Sequence, residues 1–216
     1  MKSKIHEYLL KLNNKALSKT SRINSMRIVA NMSLVLLLLA AACGQSGTKT
    51  KEQANSSTEA KSVVDRPEMD IQAAILSDNL EAVKQHIKAG TDLDKKDAMS
   101  GSTPLITAAS FGKIKMAQEL IDAGADLTAK NNDGATALHT AAFFCRVEIV
   151  QMLIDANVDK SARNNFGATA RESVMGPFAD IKPIYEMLQQ QLRPMGLQID
   201  LNEIEKTRPV IAMMLE

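Results

Sequence analysis

Aromatic residues are scarce in this chain of 216 residues. They make up 3% of it, and tryptophan is absent. We therefore do not expect a core built around large rings; alanine, leucine, isoleucine, valine and methionine must fill the interior. Side chains of this kind suit short helices that pack closely together. The length allows one ordinary domain with extensions.

Long apolar runs are also missing. The most apolar segment, residues 28–42, holds 15 positions and is interrupted by Asn31 and Ser33. A membrane-spanning helix needs about 20 predominantly apolar residues. The segment is therefore too short for a stable span, and no other part of the chain comes near that length.

Acidic residues are nearly absent from the amino-terminal segment. Residues 1–42 carry seven Lys or Arg side chains and a single acidic one, Glu7. Residues 43–216 then hold 19 basic and 24 acidic side chains, a net charge of −5, although the whole chain is +1. A basic head on a mildly acidic body is typical of a targeting segment, and it argues against a nucleic-acid partner.

The basic head, the apolar segment and the small residues that follow are the three parts of a secretory signal. The run Ala40-Ala41-Ala42-Cys43-Gly44, after four leucines, resembles the lipobox of bacterial lipoproteins. The resemblance implies that the Cys43 thiol receives a lipid, since sulfur is the nucleophile. It also implies cleavage just before Cys43. We therefore predict a signal peptide over residues 1–42.

The start and the location of the protein follow from this signal. A basic head of 27 residues is long, whereas translation from Met26 would give a signal of ordinary length, so both Met1 and Met26 stay open as starts. Because Gly44 and not aspartate follows the cysteine, the resemblance favours the outer membrane, facing the periplasm. In a Gram-positive cell the same anchor would hold the protein on the outer surface.

Residues 43–66 contain almost no large apolar side chain before Val63. Such a segment cannot bury enough surface to offset the entropy of ordering, so we expect a disordered tether. As a coil it would span roughly 26 Å.

The rest of the chain repeats itself. Thr103–Ala109 (TPLITAA) aligns with Thr136–Ala142 (TALHTAA) at an offset of 33 residues, and Leu120–Leu127 (LIDAGADL) aligns with Leu153–Lys160 (LIDANVDK) at the same offset. This pattern resembles the ankyrin repeat. The resemblance implies an all-α solenoid of stacked helix-turn-helix units with hairpin loops. We expect about three full repeats, a degenerate fourth and a helical cap at the carboxyl terminus.

The predicted repeats occupy residues 67–192, divided at about 67–98, 101–130, 134–163 and 167–192. In the fourth repeat, Ile181, Ile184, Tyr185 and Leu188 are spaced as in an outer helix. Residues 193–216 are predicted to be a capping extension with a short helix, Thr207–Leu215, over the end of the stack.

Several residues have predicted structural roles. Thr103 and Thr136 are placed as N-caps, with Pro104 at the first helical position. Gly90 and Gly124 follow the second helices, where a left-handed residue is favoured. The resemblance implies that His139 makes structural hydrogen bonds.

No catalytic constellation, metal site or cofactor motif is predicted. The chain has no glycine-rich phosphate loop and no HExxH or CxxC spacing. Cys145 would be the sole free thiol after lipidation; we expect a small buried residue, with a redox-sensitive thiol as the alternative. An enzyme would need an unrecognised group, such as Glu203 or Glu205 in the tail.

Two recurring sets of side chains are candidates for partner binding. Lys96, Lys130 and Arg163 each follow the end of a second helix by six residues, while Phe111 and Phe144 share a place on the first helices, with Phe143 beside the latter. The resemblance implies docking on the concave side, which would suit an acidic, partly apolar protein. The alternative is that both sets are structural.

The sequence thus favours a monomeric, non-catalytic interaction module held in the bacterial envelope through Cys43. The alternative function is protection or inhibition of a single periplasmic enzyme.

Overall fold

The computed structural model of the chain describes residues 67–216. The predicted signal peptide, the lipidation of Cys43 and the predicted tether lie outside the described residues. Within residues 67–216, none of the helices is long and apolar enough to cross a membrane.

The described part of the chain folds into nine α-helices and one 3-10 turn, without a strand. In chain order they are α1 Ile71–Leu76, α2 Leu80–Lys88, α3 Pro104–Phe111, α4 Ile114–Asp122, α5 Ala137–Phe143, α6 Val147–Asp155, α7 Glu172–Met175, α8 Phe178–Leu192, the 3-10 turn Arg193–Met195 and α9 Leu201–Met214.

The helices form two layers. The first helix of each unit packs on the first helix of the next, so that α1, α3, α5 and α7 make an inner layer, and α2, α4 and α6 pack side by side in an outer layer. Each inner helix also packs on its own outer helix, as in α3 with α4. This arrangement confirms the predicted helical solenoid.

The two layers differ in composition because they differ in burial. Every residue of α3 from Pro104 to Ala109 is buried, since this helix has neighbours on both sides and on the outer layer. The paired alanines of α3 and α5 are fully buried, and their small side chains let adjacent helices approach closely. In α4, by contrast, Met116, Ala117 and Leu120 form one buried stripe and the opposite face meets solvent.

The helix ends use the local chemistry of the repeat. The Thr103 hydroxyl accepts a hydrogen bond from the Ile106 N–H and the Thr136 hydroxyl accepts one from the His139 N–H, so both threonines cap their helices. Pro104 lies in the first turn of α3. Gly90 and Gly124, which follow the outer helices, have φ of 67° and 83°.

The fourth unit differs from the prediction. Helix α7 is only four residues long, because Gly176 and Pro177 end it. Helix α8, predicted as the outer helix of this unit, does not continue the outer layer. Helix α9 does so instead: it packs on α7 and on α6, in the same relation that α6 has to α5 and α4. The fourth repeat is thus completed by residues 201–214, and α8 lies in an insertion between its two helices.

The last helix is also longer than predicted. It begins at Leu201 rather than Thr207, because the Asp200 carboxylate accepts hydrogen bonds from the N–H groups of Asn202 and Glu203 and caps it. The helix continues through Pro209. Its buried side Ile204, Thr207, Arg208 and Ile211 faces the stack.

Candidate partner-binding surface

The predicted aromatic set lies against the chain's own insertion. The side chains Phe144, Tyr185, Leu197, Ile199 and Ile204 form a second apolar cluster, separate from the main core, which we call the aromatic cluster. The ring of Phe143 stacks on the Tyr185 ring with centroids 4.7 Å apart and meets the Phe144 ring edge-on at 5.1 Å.

The prediction that Phe143 and Phe144 bind a partner is therefore wrong for this conformation. Phe144 is 8% exposed, and Phe143 is partly buried beneath α8. Phe111 packs at the edge of the same cluster. The phenylalanines after the paired alanines do recur, but the surface that they make is occupied by residues 178–200.

A buried polar network fastens the insertion to the stack. The Tyr185 hydroxyl donates to the Phe143 carbonyl oxygen at 2.5 Å, and Arg208 donates to the Tyr185 hydroxyl at 3.3 Å and to the Gly176 carbonyl oxygen at 3.0 Å. Arg208 is 3% exposed. Burial raises the pKa of Tyr185 to about 12, so the hydroxyl stays neutral at physiological pH and can donate.

The cationic set lies elsewhere. Lys96, Lys130 and Arg163 are all exposed, one in each loop between repeats. Lys130 Nζ donates to the Arg163 carbonyl oxygen at 2.9 Å, and Arg163 Nη1 pairs with Glu172 Oε2 at 2.7 Å. Two of the three cations therefore tie neighbouring units together, and their exposed faces form part of the surface of the loops.

The cations and the aromatics do not form one surface. The loops precede the inner helices, whereas Phe111 and Phe143 are the last residues of α3 and α5. A helix of eight residues is about 12 Å long, so the two sets lie at opposite ends of the inner layer. The combination of cations with aromatics behind them stays a prediction, with the two sets separated by the length of an inner helix.

Sequence reasoning missed the residues that close each loop. The side-chain oxygens of Asp97, Asn131 and Asn164 occupy equivalent positions and accept hydrogen bonds from backbone N–H groups two to five residues further on. Burial opposes ionisation of Asp97, but the hydrogen bonds from Ser100, Met99 and Ser102 lower its pKa below the ordinary value. The sequence does contain a sign of this role, because Asn131 and Asn164 are 33 residues apart and so recur at the period of the repeat.

Adjacent loops are also bonded to each other. Asn132 Nδ2 donates to the Met99 carbonyl oxygen at 3.0 Å, and Asn165 Nδ2 donates to the Asn132 carbonyl oxygen at 2.9 Å, each over 33 residues. We call the three bonded loops, residues 94–102, 126–135 and 159–168, the loop row. Its backbone is held in place before any partner arrives.

His139 belongs to this architecture. Its Nδ1 lies 2.9 Å from the Thr136 hydroxyl, and its Nε2 lies 3.1 Å from the Ala168 carbonyl oxygen in the next loop. Burial, with the charge of Lys130, lowers the pKa of His139 despite a hydrogen bond from the ring to the Ala168 carbonyl, which acts in the opposite direction. The ring is therefore neutral at pH 7 and links two repeats.

Comparison with known proteins agrees with this geometry. Residues 71–164 match the family model described as ankyrin repeats (3 copies). Residues 71–164 are ankyrin repeats. A stretch of 61 residues is 48% identical to protein phosphatase 1 regulatory subunit 27 of Homo sapiens, and the protein of that name from Mus musculus matches to the same extent. The match covers 28% of this chain and 39% of the length of these curated relatives.

The ankyrin repeats suggest a protein-interaction module. Among residues 67–216, no group of three or more His, Cys, Asp or Glu side chains is arranged to hold a metal ion. Burial raises the pKa of the Cys145 thiol to about 11, even though Arg208 and Arg146 act to lower it. A thiol of this kind is a weak nucleophile at neutral pH, which disfavours the redox-sensor alternative.

Proposed function

We propose that the chain is a non-catalytic interaction module that binds a protein partner through the loop row. The observation that carries the proposal is the bonding between loops at intervals of 33 residues. Side chains on a surface that is already ordered lose little backbone entropy on binding, so more of the interaction energy appears as affinity.

The chemistry of the loop row indicates the kind of partner. Met99 is 60% exposed and Phe166 is 37% exposed at the tips of the first and third loops. Lys96 and Lys130 add positive charge on the same row. Across residues 94–102, 126–135 and 159–168 the basic and acidic side chains are equal in number, five of each, so the exposed apolar side chains are the stronger indication and suit a partner surface that is partly apolar.

Capture experiments with matched variants test this proposal. The full chain should retain a discrete envelope protein, and the double variant Lys96→Glu/Phe166→Ala should retain at least about tenfold less of it, because a contact and a charge are both lost. The control is Lys88→Glu, an exposed cation at the end of α2 and outside the loop row. Equal losses in the two variants would exclude the loop row as the binding surface.

We also propose that a lipid on Cys43 anchors the module in a bacterial envelope, most favourably in the outer membrane facing the periplasm. The motif Ala40–Gly44 supports this, since two or more acyl chains give stable attachment where one is marginal. Radiolabelled palmitate should enter the parent protein and be absent from Cys43→Ser. Equal labelling of both would remove the anchor from the account.

A second candidate function is control or protection of one obligate client, such as a periplasmic enzyme. The human and mouse relatives are named as a regulatory subunit, which favours this version. A single client should co-purify in a fixed 1:1 ratio and change its activity or its half-life when the chain is deleted. Several clients in variable ratios would favour the general module.

A further inference from the structure

A groove crosses the stack at the end opposite to the loop row. It has a volume of about 620 Å³ and runs past the turns of the first three helix pairs to the insertion. Residues Asp78, Gly112 and Arg146 mark the three turns, while Gly196 and Gln198 close the far end. The volume lies within the range of about 300–1,000 Å³ that is typical of ligand-sized pockets.

The groove has an apolar strip. Leu80, Phe111, Ile114 and Met116 contribute to its lining. Ile114 is 40% exposed although it is the first residue of α4, and so it offers an aliphatic surface that the chain itself does not cover. An apolar side chain of a partner could bury area against this strip.

Three cations and one carboxylate line the same groove: Lys113, Lys115, Arg146 and Asp78. Lys113 Nζ pairs with Asp78 Oδ1 at 3.3 Å, so these two charges offset each other. Lys115 is exposed at the opening. The groove therefore presents two cations that have no ion pair within the described residues.

Arg146 is held so that its charge faces this groove. Its Nη2 donates to the carbonyl oxygens of Ser110 at 3.2 Å and Gln198 at 3.3 Å, and the guanidinium lies 5.9 Å from the centre of the Phe144 ring. All these partners are neutral. A partly buried guanidinium that is bonded to carbonyls alone gains from an incoming carboxylate more than an exposed lysine does.

We propose that this groove binds an acidic peptide segment of a partner protein, with a carboxylate at Arg146 and Lys115 and an apolar anchor at Ile114 and Phe111. The site is separate from the loop row, and its occupancy does not depend on the function proposed above. It would give the module a second contact with the same or another protein.

Fluorescence polarisation with two synthetic peptides tests the proposal. The first is a labelled eight-residue peptide of alternating glutamate and leucine, and the second replaces each glutamate by glutamine. The full chain, carrying Cys43→Ser to leave it without lipid, should bind the first peptide saturably and the second about tenfold more weakly, because the charged contacts are lost.

Three variants locate the binding. Lys115→Gln and Arg146→Gln should each weaken the glutamate peptide about fivefold to tenfold, while Lys88→Gln on α2 should leave it unchanged. The basic amino terminus is common to all variants and cancels in the comparison. If circular dichroism shows that Arg146→Gln does not fold, Lys115→Gln decides the outcome. No saturable binding by the parent, or equal binding by Lys115→Gln and Lys88→Gln, would overturn the proposal, and neither result would bear on the loop row.

Discussion

The substitution Ile211→Ala tests whether α9 completes the fourth unit of the stack. Ile211 is fully buried in the main core, in the same cluster as Ala170 and Val174 near the last inner helix. Its neighbour Val210 is 41% exposed on the same helix, so Val210→Ala is a matched control. The two changes alter the same helix but only the first removes core packing.

The magnitude follows from burial. Replacing isoleucine by alanine removes three carbon atoms, which at about 0.8 kcal/mol each amounts to roughly 2.4 kcal/mol of transfer free energy. The rigid surroundings leave part of the volume as a cavity, which brings the expected loss to about 3 kcal/mol, within the range of about 2–5 kcal/mol for such substitutions. Val210→Ala should stay within about 0.5 kcal/mol.

Urea unfolding followed by far-ultraviolet circular dichroism measures both variants. We expect a clear fall in the urea midpoint for Ile211→Ala, and a fall of about 6–12 °C in the thermal midpoint for a folded unit of this size. If Ile211→Ala and Val210→Ala unfold together with the parent, α9 does not pack on the stack in solution, and the assignment of residues 201–214 to the fourth repeat is wrong.

Three further predictions concern the loops, His139 and Cys145. Gly134→Ala should destabilise the fold by about 1–2 kcal/mol more than Gly90→Ala. Both glycines have φ near 70°, but the new Cβ at Gly134 would lie 2.3 Å from Asn165 Oδ1, whereas Gly90 faces open space. Equal free energies of unfolding for the two variants would refute the tight contact between loops. Burial lowers the pKa of His139 below the ordinary value for histidine, so the unfolded chain binds the proton first and the free energy of unfolding should fall as pH drops from 7.5 to 5.5. That fall should be smaller in His139→Asn, and parallel pH curves for the two proteins would contradict the burial argument. With a pKa of about 11, Cys145 should react with a thiol reagent at pH 8 on the order of 100-fold more slowly than an exposed cysteine; a rate equal to that of free cysteine, measured in Cys43→Ser, would show that the thiol is accessible.

The ankyrin fold could be predicted because the sequence features that determine it lie close together in the chain and recur in each repeat. Thr103 and Thr136 cap their helices through hydrogen bonds that reach three residues along the chain, and Pro104 suits the first turn wherever the rest of the protein lies. The alternation of a fully apolar helix with an amphipathic one is likewise visible in the sequence.

The insertion could not be predicted because its place depends on contacts far along the chain. Tyr185 follows the helical spacing of the apolar residues in its own segment, and this spacing predicts an outer helix. In the structure its ring instead stacks on Phe143 and its hydroxyl accepts a hydrogen bond from Arg208. Nothing local distinguishes a helix that continues a layer from one that folds back over the ends of the inner helices.

For the same reason, the sequence predicted only part of the candidate surfaces. The spacing of Lys96, Lys130 and Arg163 correctly placed them in equivalent loops, but it could not show that the Arg163 side chain pairs with Glu172. Nor could it show that Phe144 lies beneath the chain's own residues. Periodicity identifies equivalent positions; exposure is decided by what packs against them.

Site-specific photo-crosslinking in the native envelope tests the central claim most directly. A photo-reactive amino acid is placed at Phe166, in the loop row, or at Gln85, an exposed position on α2. We predict that illumination joins the chain labelled at Phe166 to one discrete protein, identified by mass spectrometry, and that the chain labelled at Gln85 gives no such product. No product at Phe166, or the same products at both positions, would contradict the account of the loop row as a partner-binding surface.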